Sequence, residues 1–296
     1  MRDGTIAGPH GSIYYRIVGE SDALPLLVIH GGPGMPHDYL RDLDALADER
    51  PVVYYDQIGC GRSDRSDDSS LWTLATFADE VDTVRGALGL DRIHLLGQSA
   101  GGWIALEYAL RAPAGLVSLH LANTCASIPL LERETAHLKD TLPDGAGAVI
   151  DVHESDGTTT EPEYLAAVGL FNRLYFTGVD DVPDHVRAAL PGMNHAIFAA
   201  MVGAQWDVTG TLAGWDVTDR LPELDLPVLA TSGRFDEMTP ELVRPMVDAI
   251  PGARWRLFEE SAHLPMVTEK DTFIRATREF LASVRATGPD PRRPDD

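Results

Sequence analysis

Lysine is nearly missing from this chain. Of 296 residues only Lys139 and Lys270 carry an ammonium side chain, and the remaining basic residues are arginine or histidine. We read that bias as compositional and give it no functional weight. Base is short overall, with 24 Lys and Arg against 46 Asp and Glu and a formal charge of −22. A phosphate backbone or an anionic membrane needs a basic face, so neither nucleic acid nor membrane is an expected partner. An acidic protein suits a cationic or amine-bearing substrate. Cysteine is equally sparse: Cys60 and Cys125 cannot make a disulfide framework, and a reduced compartment suits them. Each follows a predicted strand and reads as an ordinary buried thiol. No apolar run reaches the length of a membrane span or a signal peptide, which makes a cytoplasmic location the expectation.

What is present is a core. A hydrophobic content of 44% over this length buries a large interior. Strands alternate with helical patterns, the signature of an α/β fold: a mostly parallel sheet with helices on both faces. Ser12–Val18 reads as an early antiparallel strand. The continuous apolar runs Leu26–His30, Pro51–Asp56 and Ile93–Gln98 read as buried parallel strands, and Leu116–Leu121 as another. A helix is expected after Gly34 to about Leu46. Another is expected over Thr76–Leu88, with Phe77, Val81, Val84 and Leu88 on one side, and a third from Ser99 to about Arg111. After Cys125 the pattern changes. Positions 126–222 show no buried-strand run, only helical stretches near Glu161–Tyr175, Asp184–Leu190 and Asn194–Val202. They carry fifteen Asp or Glu against five Lys or Arg. A stretch of that length is too long for a plain connection and reads as a helical cap over the carboxyl ends of the sheet. The core resumes with strands Leu226–Ser232 and Trp255–Phe258 and closes with a helix over Lys270–Ser283. The expected division is therefore a core of 1–125 and 223–284, a cap of 126–222 and a solvated, disordered tail of 285–296.

The chemistry is signalled where Ile93–Gln98 runs out. In Gly97-Gln98-Ser99-Ala100-Gly101 two glycines flank a serine, with a strand before and a helix after. That context turns a chance spacing into a nucleophile elbow. Serine is a weak nucleophile at neutral pH, so it needs a neutral imidazole as base and a carboxylate to fix that imidazole. The partners are sought on later strand ends. Asp236 stands four residues after Ser232, and His263 follows the last strand. The other histidines fit less well: His94 and His120 lie inside strands, His137, His153, His185 and His195 lie in the cap, and His10 and His37 come too early. His30 closes a core strand and suggests a structural or oxyanion-loop role. Glu237 is second to Asp236 as the acid, while Asp225 precedes its strand and faces the wrong end of the sheet. The oxyanion donors are expected to be the backbone amides of Ala100 and Gly32.

Several segments together resemble a known family. His30-Gly31-Gly32-Pro33-Gly34, the run from Asp56-Gln57 through Gly59, Gly61, Ser63 and Asp64, the Gln98-Ser99 elbow, and the Asp236 and His263 segments are similar to the prolyl aminopeptidase (proline iminopeptidase) branch of the α/β-hydrolases. The resemblance runs from about Ile13 to Phe280. It implies an α/β-hydrolase fold and the chain order Ser, Asp, His. It also implies release of an N-terminal residue, often proline, from a short peptide or small amide, with no cofactor and no metal. In the family, cap glutamates bind the substrate amine. Here Gln205 takes the place of one, with Trp206 and Asp207 following, and Gly169 lies where the other is expected. Gln205, Trp206, Asp207 and Gly31 are the expected substrate-binding residues. Ala100 replaces a residue that is often aromatic and opens space beside Ser99. Two other readings stay open: a relative acting on a different amide or ester with no need of an amine, and a non-catalytic binding module, which the intact Ser99, Asp236 and His263 disfavour. An aspartate-nucleophile dehalogenase or epoxide hydrolase is disfavoured because the elbow carries serine.

Overall fold

The computed structural model describes residues 1–204 and 206–284. The expectations for Gln205 and for the 285–296 tail lie outside the described residues. The chain starts with β1 (Arg2–Gly8) and β2 (Gly11–Val18), followed by β3 (Leu26–Ile29), a 3-10 helix at His37–Leu46, and β4 (Val52–Tyr55). Then come α1 (Leu74–Leu88), β5 (Ile93–Gln98), α2 (Ala100–Ala109) and β6 (Leu116–Ala122). The next segment holds α3 (Ile128–Asp140), α4 (Ala146–Asp156), α5 (Pro162–Phe171), a π-helical turn at Asn172–Thr177, α6 (Asp184–Ala189) and α7 (His195–Met201). It ends in the short hairpin β7 (Gly203–Ala204) and β8 (Asp207–Val208). The core resumes with β9 (Val228–Gly233), α8 (Pro240–Ala249), β10 (Arg254–Phe258), α9 (Pro265–Thr268) and α10 (Lys270–Ser283).

Among the described residues the main sheet has eight strands in the order β1-β2-β4-β3-β5-β6-β9-β10. The first three are joined antiparallel, and every pair from β4 to β10 is parallel. The parallel part is why the strands read as unbroken apolar runs: β3, β4 and β5 are buried at every position, because helices cover both faces. One apolar cluster packs α1, α2 and α8 against Leu27, Val53, Leu95 and Leu119. The other packs the 3-10 helix and α10 against Leu26, Val28, Val52, Leu96 and Leu229. Parallel strands also end on one edge, so the loops after β3, β5, β6, β9 and β10 meet there.

Three local expectations are corrected. The amino-terminal strand β1 was not expected; its alternation of exposed and half-buried residues is short and its glycines weaken the pattern. The helix after Gly34 is 3-10 rather than α, entered from Pro36. Between β6 and β9, α3 and α4 add to the three expected helical stretches, and a two-stranded hairpin interrupts what read as strand-free. Among the described residues no helix is long and apolar enough to cross a membrane.

Candidate active site

The elbow is built by contact, not by glycine flexibility alone. Ser99 sits at φ 55° and ψ −126°, a conformation that costs a non-glycine residue of the order of 1–3 kcal/mol and persists only when its surroundings enforce it. Those surroundings are tight. A Cβ on Gly97 would lie 2.3 Å from the carbonyl oxygen of Gly101, and one on Gly101 would lie 2.3 Å from that of Ile29. The Ser99 amide donates to Ala122 O at 2.9 Å, and the Thr124 hydroxyl donates to Ser99 O at 2.8 Å. Ser99 is left at the mouth of α2, 7% exposed.

Asp236 and His263 meet at the same edge. His263 Nδ1 donates to Asp236 Oδ1 at 2.6 Å, and both side chains are fully buried. The carboxylate is held from two further sides, by Asn123 Nδ2 at 2.6 Å and by the Met238 amide at 2.9 Å. Burial works against the imidazolium, but Asp236 outweighs it and raises the His263 pKa above its ordinary value. Nε2, the atom a serine proton would reach, is buried and has no hydrogen-bond partner among the described residues. Glu237 brings a second carboxylate to that atom, its Oε1 3.8 Å from His263 Nε2. Burial raises the pKa of Glu237, and the neighbouring Asp236 adds to the shift while His263 opposes it.

The glycine loop after β3 closes the site. A Cβ on Gly31 would stand 2.7 Å from Ser99 Cβ, so any side chain there would fill the space at the nucleophile. Gly32 lies at φ 124° before a cis bond to Pro33. His30 is the pin of this loop: its Nδ1 donates to Gly31 O at 3.1 Å while Nε2 accepts the Gln57 amide at 3.0 Å. Burial holds its pKa down at about 4, so it stays neutral. The Tyr39 hydroxyl accepts the Gly31 amide at 2.7 Å and donates to Gln98, whose amide nitrogen donates to His263 O at 3.3 Å. One buried polar chain thus ties the glycine loop, the elbow and the histidine loop together. A second pair fixes the next loop. Burial pushes Asp56 up, but the His37 ring at 2.7 Å and the Arg62 amide outweigh it and hold its carboxyl at about 2.

A nucleophile-type serine, a buried acid–base pair and a glycine loop at one sheet edge are the parts of a hydrolase, and the comparisons agree. The family model for the alpha/beta hydrolase fold matches residues 25–270. A proline iminopeptidase of Lactobacillus delbrueckii subsp. lactis is 41% identical over 277 residues, covering 91% of this chain and 94% of its own. The crystal structure of the Mycobacterium smegmatis proline iminopeptidase is similar with a TM-score of 0.88 at 37% identity, covering 95% of this chain and 98% of that one. The crystal structure of VinJ gives 0.92 at 33% identity, with 96% and 99% covered. The chain belongs to the proline iminopeptidase family of α/β-hydrolases.

Trp206, Asp207 and Gly169 all lie in the 126–222 segment. Trp206 is buried in the small apolar cluster of Leu142, Ile150, Ala167 and Phe171, its ring 4.5 Å from that of Phe171. That packing holds its ring inside the segment's own apolar cluster. Asp207 is exposed on β8, and Gly169 is exposed on α5 with nothing within 4 Å of where a Cβ would stand. The residues around the site that sequence reasoning missed are Tyr39, Gln98 and Asn123, which hold its loops through buried hydrogen bonds. It ranked Glu237 only as a reserve for Asp236. Adjacency to Asp236 was the available signal for Glu237; the others have no spacing rule and emerge from the fold.

Proposed function

We propose that this protein is a serine aminopeptidase that releases an N-terminal proline, or a similar small residue, from a short peptide or amide. Ser99 Oγ attacks the scissile carbonyl and passes its proton to His263 Nε2. Asp236 fixes the imidazole and stabilises the imidazolium. The amides of Ala100, in the first turn of α2 where no intrahelical acceptor exists, and of Gly32 take the oxyanion. His263 then protonates the departing amine, leaving the aminoacyl group on Ser99. Water, deprotonated by His263, releases the amino acid and restores the serine. The cap of 126–222 lies over this edge and bounds the substrate.

The observation that carries the reading is Glu237. The amine of an N-terminal residue is only two bonds from the scissile carbon, so whatever recognises it must flank the general base. An acidic side chain 3.8 Å from His263 Nε2 meets that requirement and offers the carboxyl group that Gln205 and Gly169 lack. A charge-assisted hydrogen bond in such a site is worth roughly 1.5–3 kcal/mol. The exposed Asp207 and bare Gly169 favour the second reading, a relative cleaving amides or esters without a free amine.

Two measurements test this. A fluorophosphonate should label the wild type and leave Ser99→Ala unlabelled; labelling of both would sink the nucleophile. Turnover of prolyl and other aminoacyl arylamides is then compared with that of their N-acetylated forms and of simple acyl esters. Free-amine substrates should be preferred, and equal turnover of the blocked forms would hand the site to the second reading.

A further inference from the structure

The π-helical turn at Asn172–Thr177 is a part of the cap that reaches the catalytic loops, and the mechanism above makes no use of it. It closes with the wide bond from the Gly178 amide to Arg173 O at 3.1 Å, and Gly178 ends it at φ 68°. A helix leaves its last carbonyls without intrahelical partners. Here two of them are satisfied by the acid and base loops: Tyr175 O accepts the Glu237 amide at 3.0 Å, and Phe176 O accepts the His263 amide at 3.1 Å. The turn is anchored on its other side, where Tyr175 packs edge-on against the buried Phe171 at 5.0 Å. The Phe176 ring then lies against the His263 imidazole, centroids 4.9 Å apart and planes 32° apart.

We propose that Phe176 is a positioning residue for catalysis, its ring restraining the His263 imidazole from the cap side. The proposal rests on His263 acting as the general base. The single bond from Nδ1 to Asp236 fixes one atom of the imidazole and leaves the ring free to tilt about that contact. Nε2 has no partner to stop it. An apolar ring inclined across the imidazole at this distance limits that tilt without competing for the proton on Nε2. Because the same turn holds the His263 and Glu237 amides, the cap positions the base through both backbone and ring.

The test compares Phe176→Ala, Phe176→Leu and Phe176→Tyr with wild type, with Ser99→Ala as the unlabelled control. It reads the rate constant for fluorophosphonate inactivation, and kcat and KM on a prolyl arylamide. Phe176→Ala and Phe176→Leu should slow inactivation and lower kcat in parallel, roughly tenfold or more, with KM little changed. Phe176→Tyr, which keeps the ring, should restore both. An unchanged inactivation rate in a folded Phe176→Leu protein overturns the proposal, as does a loss confined to KM or a failure of tyrosine to rescue. If Phe176→Ala does not fold, leucine, which keeps much of the apolar bulk but not the ring, decides alone. A wild type that is labelled at Ser99 yet ignores prolyl arylamides overturns the aminopeptidase reading instead, and the inactivation series still decides the role of Phe176.

Discussion

Glu237 stands close enough to His263 to hold a substrate ammonium, and close enough to hold the imidazolium that forms in every turnover. Both roles act on pH dependence, and their signs differ. In the proposed mechanism His263 must be neutral to accept a proton, so activity should rise with pH through its pKa. Asp236 and Glu237 hold that pKa up, so the acidic limb of kcat/KM should lie above the ordinary imidazole value near 6.5. Replacing Glu237 with Gln removes one of the two supports and should move the limb to lower pH. The same change should lower kcat/KM for free-amine substrates by about tenfold or more, and leave N-acetylated substrates unchanged or improved. pH profiles of both substrate classes on Glu237→Gln check this; an equal loss on both would assign Glu237 to the base alone. At this scale the sequence was only partly legible. Ser99 and His263 carried spacing and order, whereas Asn123 and Tyr39 act through buried hydrogen bonds between loops far apart in the chain.

Elements were legible in proportion to how fully they are buried. β3, β4 and β5 announced themselves as apolar runs because both faces of the sheet are covered, and α10 spans the predicted Lys270–Ser283. α3 and α4 did not: two of the three residues α3 buries are the polar Thr135 and Lys139, and α4 buries only Gly147 and Ile150, so no continuous apolar stripe marks them. The 3-10 form of His37–Leu46 was hidden for another reason: its polar residues His37, Asp38 and Asp42 are buried by tertiary pairing, which no periodicity shows. α1 contributes one such buried group that bears on stability. Glu80 lies 3.1 Å from the Ile58 amide, and burial raises its pKa from 4.5 to about 8 against the pull of that bond. The folded protein therefore keeps a proton that the unfolded chain releases. The Glu80 contribution to stability is full below about 4.5 and is lost as pH rises towards about 8, by an amount of the order of a few kcal/mol. Glu80→Gln keeps the acceptor for Ile58 and cannot ionise. Its melting temperature should match wild type near pH 5 and exceed it increasingly towards pH 8, a trend followed by thermal melts across that range. A constant offset would mean that Glu80 does not titrate there.

For the whole molecule, the decisive fact is that the sheet edge bearing the proposed nucleophile and base is closed: Ser99 is 7% exposed and His263 fully buried. The 126–222 segment is stitched to the core beside the nucleophile. The Asn194 amide donates to Gly34 O at 2.9 Å, its side chain donates to Gly59 O at 3.0 Å, and the Gly61 amide donates to Gly192 O at 3.2 Å. Asn194 also caps α7 through Ala196, so one residue joins that helix to both glycine loops. Farther out, Asp42 on the 3-10 helix contacts Lys270 of α10 and His185 of α6, the latter at 3.1 Å. On the proposed reading these contacts limit the room beside Ser99, and a longer peptide should have to displace more of them than a dipeptide or amide. Catalytic efficiency on peptides with N-terminal proline should therefore fall with length. Asn194→Ala removes the side-chain bond to Gly59 and the helix cap, each worth about 1 kcal/mol, and should narrow the gap between long and short peptides by roughly tenfold. Comparing kcat/KM for a prolyl dipeptide and a decapeptide in both proteins decides the matter: equal efficiencies in wild type would mean that the cap yields freely, and an unaltered ratio in Asn194→Ala would place the restraint elsewhere than at the glycine loops.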